Sequence, residues 1–182
     1  MEKRNRKRDI EMTKQYNFSN LKVLVVDDCG FMHKVMARLL GVLGIEKITY
    51  AKDGYDALYE TRNFHPDIIL CDWEMAPMDG PEFVNTLRTH IDTPDPYIPV
   101  IMLTGYTEKV KVLAARDFGI TEFLAKPVNA RALYARLVSI VERPRPYIRT
   151  KKFFGPCRRR MNLDHIGNER RITKSALHNL VG

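Results

Sequence analysis

The stretch Leu21-Lys22-Val23-Leu24-Val25-Val26-Asp27-Asp28 decides the fold. Its first six residues form a strand-length, nearly continuous apolar run. That is the pattern of a strand buried on both faces rather than on one. Two carboxylates close the run. The same arrangement recurs along the chain. Ile68-Ile69-Leu70-Cys71 runs into Asp72, Pro99 to Leu103 runs into Thr104, and Ile120 to Ala125 runs into Lys126 and Pro127. In an open parallel sheet, ligands gather in the crevice beyond the carboxyl ends of the strands. Asp27, Asp28, Asp72, Thr104 and Lys126 are therefore expected to converge on one place.

The pattern around these runs alternates strand and helix. Strands are expected over 21–26, 46–51, 67–71, 98–103 and 120–124. Apolar residues at helical spacing, such as Phe31, Val35, Leu39, Leu40 and Leu43, predict a helix over 30–43. Further helices fit 54–63, 81–90, 107–117 and 129–142, the last with Asn129 as N-cap. Gly44, His65-Pro66, Pro94-Asp95-Pro96 and Gly119 stand where helices should stop. Five consecutive βα units predict an α/β sandwich of the doubly wound, flavodoxin-like kind, with five parallel strands in the order 2-1-3-4-5 and helices on both faces.

The chain has 182 residues and a formal net charge of +8, unevenly spread. Residues 1–20 carry 6 Lys/Arg against 3 Asp/Glu, residues 21–143 carry 14 against 17, and residues 144–182 carry 10 against 2. A mildly acidic globular domain over 21–143 is thus expected between a basic, disordered arm over 1–20 and a basic, Arg-rich, mostly disordered tail over 144–182. Pro144-Arg145-Pro146 is expected to close the domain. No run approaches the ~18 apolar residues of a membrane span, and no apolar stretch follows the basic N-terminus as a signal peptide requires. Cys29, Cys71 and Cys157 lack metal-ligand spacing and read as reduced thiols of a cytoplasmic protein.

Three carboxylates brought together repel one another unless a cation sits among them. Oxygen donors without His or Cys favour Mg²⁺ over zinc. A divalent ion there would offset the charge of an incoming phosphoryl group. A carboxylate can itself be the nucleophile, forming an aspartyl phosphate. Asp72 is the candidate, standing alone at a central strand end. Lys126 suits a phosphate oxygen, Thr104 offers a hydroxyl, and Gly105 leaves the space open. Each residue taken singly is an ordinary loop or cap residue. Their placement on four strand ends of one crevice is not.

With these residues in view, 21 to about 143 resembles a response-regulator receiver domain of the chemotaxis type. The resemblance is carried by Val-Leu-Val-Val-Asp27-Asp28, Cys-Asp72-Trp-Glu-Met75-Ala-Pro-Met78-Asp79-Gly80, Leu-Thr104-Gly and Lys126-Pro127. It implies that a histidine kinase phosphorylates Asp72. It also implies that Asp28, Asp72 and the backbone carbonyl of Glu74 bind Mg²⁺, with Asp27 acting through water. Thr104 and Lys126 would hold the phosphoryl oxygens, Phe123 and Thr104 would form the switch, and the Lys126–Pro127 bond would be cis.

The sequence departs from the family in two places. The family's Met-Pro-x-Met is here Met75-Ala76-Pro77-Met78, which implies a reshaped loop. The two positions that tune phosphoryl lifetime in the family are Glu74 and Tyr106, both larger or more charged than a free water path prefers. Trp73 reads as packing, and His33 as a surface residue of the first helix.

The resulting expectation is a phosphoacceptor switch, not a turnover enzyme. Phosphorylation adds roughly −1.5 to −2 charge and would remodel the face made by 107–117, 120–124 and 129–142 for a downstream protein target. An aspartyl-phosphate phosphatase is disfavoured, because Glu74 stands where an Asp-x-Asp motif needs its second Asp. The runner-up is a transcriptional or RNA-binding regulator that grips nucleic acid with the Arg blocks Phe153–Arg160 and His165–Arg171. Residues 150–182 are expected to be removable without unfolding the domain.

Overall fold

A computed structural model describes residues 16–105, 118–150 and 153–157 and the backbone of 171–172. Strands β1 (Lys22–Val26), β2 (Lys47–Ala51), β3 (Ile68–Asp72), β4 (Val100–Thr104) and β5 (Glu122–Ala125) form one sheet in the order β2-β1-β3-β4-β5. Every pairing is parallel. The expected order is therefore the observed one, with strand boundaries within about two residues.

The run 22–26 is continuously apolar because side chains of a strand alternate between faces. Val23 and Val25 join a core with α1 (Gly30–Val42) and α4 (Ala130–Glu142), where Met36, Leu40, Leu133, Leu137 and Ile140 are buried. Leu24 and Val26 turn the other way, toward Ala57 of α2 (Gly54–Phe64) and Phe83, Val84 and Leu87 of α3 (Gly80–Thr89). Caps fix where the helices begin. The Asp53 carboxylate accepts from the Tyr55 and Asp56 amides. Asp79 and Glu82 form a reciprocal capping box. Asn129 caps α4 through the Ala132 amide, as expected. His65, with φ of 51°, ends α2 in the left-handed conformation. The helix expected over 107–117 lies outside the described residues.

Two boundaries differ from the expectation. Residues 16–20, within the arm expected over 1–20, belong to the ordered domain. Phe18 is buried, with its ring 5.9 Å from that of Tyr134 on α4. Tyr16 stacks on Phe18, with ring centroids 6.1 Å apart, and its hydroxyl donates to Glu142 of α4, so two aromatic residues hold this segment to the domain. The domain also does not close at 143. Strands β6 (Tyr147–Arg149), β7 (Phe154–Pro156) and β8 (Arg171–Ile172) form a small antiparallel sheet in the order β7-β6-β8. Tyr147 and Phe154 are buried. The charge of the tail obscured these two aromatic anchors. The rest of the arm and tail lies outside the described residues. Among the described residues, no helix is long and apolar enough to cross a membrane.

Candidate functional site

The sheet delivers its polar strand ends to one crevice. Asp27 and Asp28 follow β1, Asp72 and Thr104 are the last residues of β3 and β4, and Lys126 follows β5. Carboxylate oxygens of Asp27, Asp28 and Asp72 lie within 4.8 Å of one another. Lys126 enters from the far side, with Nζ 2.7 Å from Asp72 Oδ1 and 3.4 Å from Asp27 Oδ2. Its backbone is tied to the neighbouring strand, because the Lys126 amide donates to the Thr104 carbonyl at 2.7 Å.

Burial grades the three acids. Asp27 is 1% exposed, Asp72 is half-buried and Asp28 faces solvent. Asp27 Oδ1 accepts from the Cys29 amide at 2.9 Å, and Asp72 Oδ1 from the Trp73 amide at 2.8 Å. Burial pushes the Asp72 carboxyl above its ordinary value, and Asp27 adds to this, while Lys126 and the Trp73 amide pull against it. Burial alone would lower the Lys126 ammonium, but Asp72, with Asp27 behind it, holds it above its usual range. The two shifts differ in origin: burial leads at Asp72, whereas at Lys126 the neighbouring carboxylates of Asp72 and Asp27 outweigh burial. Three carboxylates face one ammonium, which leaves an excess of negative charge. The Cys71 thiol, buried beside the same acids, is pushed well up and stays protonated.

That excess charge and the all-oxygen donor set fit a hard divalent cation such as Mg²⁺. The residues able to hold it are Asp27, Asp28 and Asp72, with the exposed Glu74 beside them. Thr104 is buried at its strand end. Phe123 is half-buried against the α2/α3 core. Tyr106 lies outside the described residues. Trp73 is buried packing, as expected. His33 departs from its expected surface place: its Nε2 is buried and its ring lies 5.0 Å from that of Tyr50.

Two glycines matter more than the sequence suggested. Gly80 opens α3 directly over the phosphoacceptor candidate, and its amide donates to the Trp73 carbonyl. A Cβ there would collide with the carbonyl oxygen of Asp72. Gly54 opens α2 against the reshaped loop. Its amide donates to the Met78 carbonyl, and a Cβ there would overlap the Met78 side chain. The loop holds a cis Ala76–Pro77 bond, and Lys126–Pro127 is cis as the resemblance implied. Sequence shows that these glycines exist, but the close approach that requires them is a tertiary fact.

Comparison with known proteins agrees with this geometry. Residues 23–138 match the family model described as the response regulator receiver domain. The chain is 31% identical over 124 residues to the chemotaxis protein CheY-3 of Vibrio cholerae, covering 68% of this chain and 94% of that protein. It is 29% identical over 123 residues to the chemotaxis protein CheY of Pseudomonas aeruginosa, covering 68% and 98%. Among solved structures, Vibrio cholerae CheY4 superposes with a TM-score of 0.59 at 32% identity over 66% of this chain and 98% of that one. A Francisella receiver domain does so with 0.59 at 28% identity over 68% and 98%. Five parallel strands in this order, a carboxylate cluster at their ends and a family match over 23–138 lead to one conclusion: the chain belongs to the response regulator receiver family and is a two-component response regulator.

Proposed function

We propose that Asp72 is the phosphoacceptor of this regulator and that phosphorylation switches a protein-binding surface. The observation that carries this reading is the placement of Lys126 Nζ 2.7 Å from Asp72 Oδ1, beside the cluster of three carboxylates. An Asp72 oxygen attacks the phosphorus of a phosphohistidine on a histidine kinase. The new P–O bond forms as the P–N bond breaks, and the imidazole nitrogen leaves with the bonding pair. Asp28 and Asp72, with Asp27 and the Glu74 carbonyl as the further donors the family resemblance implies, would hold Mg²⁺, which when bound would supply charge neutralisation and alignment for the phosphoryl group. Lys126 exchanges its carboxylate partner for a phosphoryl oxygen, and Thr104 donates its hydroxyl to another.

The protein then acts as a switch, not as a turnover enzyme for an outside substrate. Phosphorylation adds roughly −1.5 to −2 charge at Asp72. Thr104 and Lys126 close on it, Phe123 repacks, and the surface built on β5 and α4 changes for a downstream protein. The three free thiols accord with a cytoplasmic setting.

Trp73 provides a direct test. It is the only tryptophan of the chain, and its amide is bonded to Asp72 Oδ1. Its emission should respond saturably to Mg²⁺ and then to beryllofluoride, a phosphoryl analogue. Asp72→Ala should abolish the beryllofluoride response, and a response that survives in that variant contradicts the assignment.

A further inference from the structure

Arg88, in the last turn of α3, is 2% exposed, and the phosphoryl chemistry does not use it. Its guanidinium donates through Nε to Gly119 O at 3.1 Å, through Nη1 to Pro96 O at 2.7 Å and through Nη2 to Ile98 O at 2.8 Å. Its cationic plane lies 5.4 Å from the centroid of the Tyr147 ring, which belongs to the C-terminal extension. Burial lowers its pKa from the ordinary value, but an arginine stays charged throughout the working range.

The extension is fitted to this node. Gly119 has a φ of 85°, and a Cβ there would lie 2.9 Å from Arg88 Cγ and 3.1 Å from Phe154 O. Gly155 of β7 rests on it: a Cβ on Gly155 would fall 2.6 Å from Gly119 Cα. The Tyr147 hydroxyl donates to Tyr97 O at 2.7 Å, and the rings of Tyr97, Tyr147 and Phe154 form one cluster. Arg145 donates through Nη1 to Thr121 O at 2.7 Å and through Nε to Cys157 O at 2.9 Å.

All the receiver partners here lead into two strands. Pro96, Tyr97 and Ile98 precede β4, and Gly119 and Thr121 precede β5. The carboxyl ends of those same strands deliver Thr104 and Lys126, and the two strands are paired along their length. We propose that Arg88 is a positioning residue that locks the C-terminal extension to the amino ends of β4 and β5, so that docking of the extension is linked to occupancy of Asp72. The inference rests on the phosphorylation reading above. When Thr104 and Lys126 close on a phosphoryl group, the β4–β5 pair stiffens, and the carbonyls held by Arg88 move less. The coupling runs through packed strands, and linkage makes it reciprocal. Lysine cannot replace Arg88, because one ammonium lacks the planar fork that spans three carbonyls.

The test is amide hydrogen exchange in peptides covering 147–156 of the full chain, with Mg²⁺ alone and with Mg²⁺ and beryllofluoride, while Trp73 emission reports occupancy. Saturation should slow exchange in those peptides about fivefold, a typical coupling. Arg88→Lys should abolish the slowing. Tyr147→Phe removes only the hydroxyl bonded to Tyr97 O and keeps the ring, so it tests the lock in a folded chain. It should reduce the slowing and weaken beryllofluoride binding by the same factor. If Trp73 saturates while exchange in 147–156 is unchanged or faster, the linkage is overturned and the phosphorylation reading stands. If Trp73 never responds, both fall.

Discussion

Lys126 Nζ lies 2.7 Å from Asp72 Oδ1, closer than its 3.4 Å approach to Asp27 Oδ2, so the lysine that follows β5 is paired first with the proposed phosphoacceptor. The pair leaves two carboxylates uncompensated. The cluster therefore carries net negative charge in the unliganded fold, and that charge can be read out as stability.

Replacing Asp72 by Asn should stabilise the protein in the absence of divalent ions. The Asp72 pKa is raised in the fold. The native state thus holds this proton more tightly than the unfolded chain does. Stability falls as pH rises from the ordinary aspartate value through the raised one, and it stays reduced above. A neutral Asn removes that loss. Thermal melting across pH should show Tm of Asp72→Asn above that of wild type near neutrality, by about 2–4 °C for each kcal/mol regained. The two should converge at acid pH. An Asp72→Asn protein that melts lower at neutral pH contradicts the charge assignment.

Gly80→Ala should damage the site from its backbone side. The added Cβ meets the carbonyl oxygen of Asp72, which cannot swing away as a side chain could. Overpacking of this kind costs about 1–3 kcal/mol. Stability should fall by that amount, and phosphoryl uptake should fall with it. A Gly80→Ala protein with unchanged uptake and melting would show that the helix start has slack.

Ending the chain at Arg149 removes Phe154, Gly155 and Cys157 from their places on the receiver. The sequence alone suggested that residues beyond about 150 could be removed without unfolding the domain, but Phe154 is buried and Arg145 hydrogen-bonds Cys157. Losing the burial of one phenylalanine costs about 1.5–3 kcal/mol. Tm should drop by about 3–12 °C. A truncated protein that melts like the full chain would show that the extension contributes nothing to the fold.

The phosphoryl lifetime should depend on Glu74 and Tyr106, the two residues the family resemblance places beside the path of hydrolytic water. The Glu74→Asn, Tyr106→Ala double variant should lose its phosphate faster than wild type, on the order of tenfold, which is about 1.4 kcal/mol of barrier. Following phosphoryl loss after removal of the donor measures this. A longer-lived double variant reverses the role assigned to the pair.

Most of the site was legible because its residues adjoin their own strands. Asp27, Asp28, Asp72, Thr104 and Lys126 each follow an apolar run, and a run of apolar residues is a local signal. The strand order was expected from the flavodoxin-like class that five consecutive βα units suggest. The contacts that hold the extension are of another kind. Arg88 falls within the helix expected over 81–90, and nothing local to it announces Pro96, Ile98 and Gly119, whose carbonyls receive its guanidinium. Gly119 reads as a helix stop, and nothing in its neighbours announces Gly155. Such pairings join residues distant in sequence, and neither composition nor periodicity encodes them. The basic charge of the tail also outweighed Tyr147 and Phe154, which are buried against the receiver.

The central claim, that Asp72 is the phosphoacceptor, is tested most directly by intact-mass analysis after incubation with acetyl phosphate. The account predicts a mass gain of one phosphoryl group in the wild-type chain, only when Mg²⁺ is present, and its loss in both Asp72→Asn and Asp28→Ala. The same phosphoryl gain in the Asp72→Asn protein, to the same extent and with the same need for Mg²⁺, would contradict it.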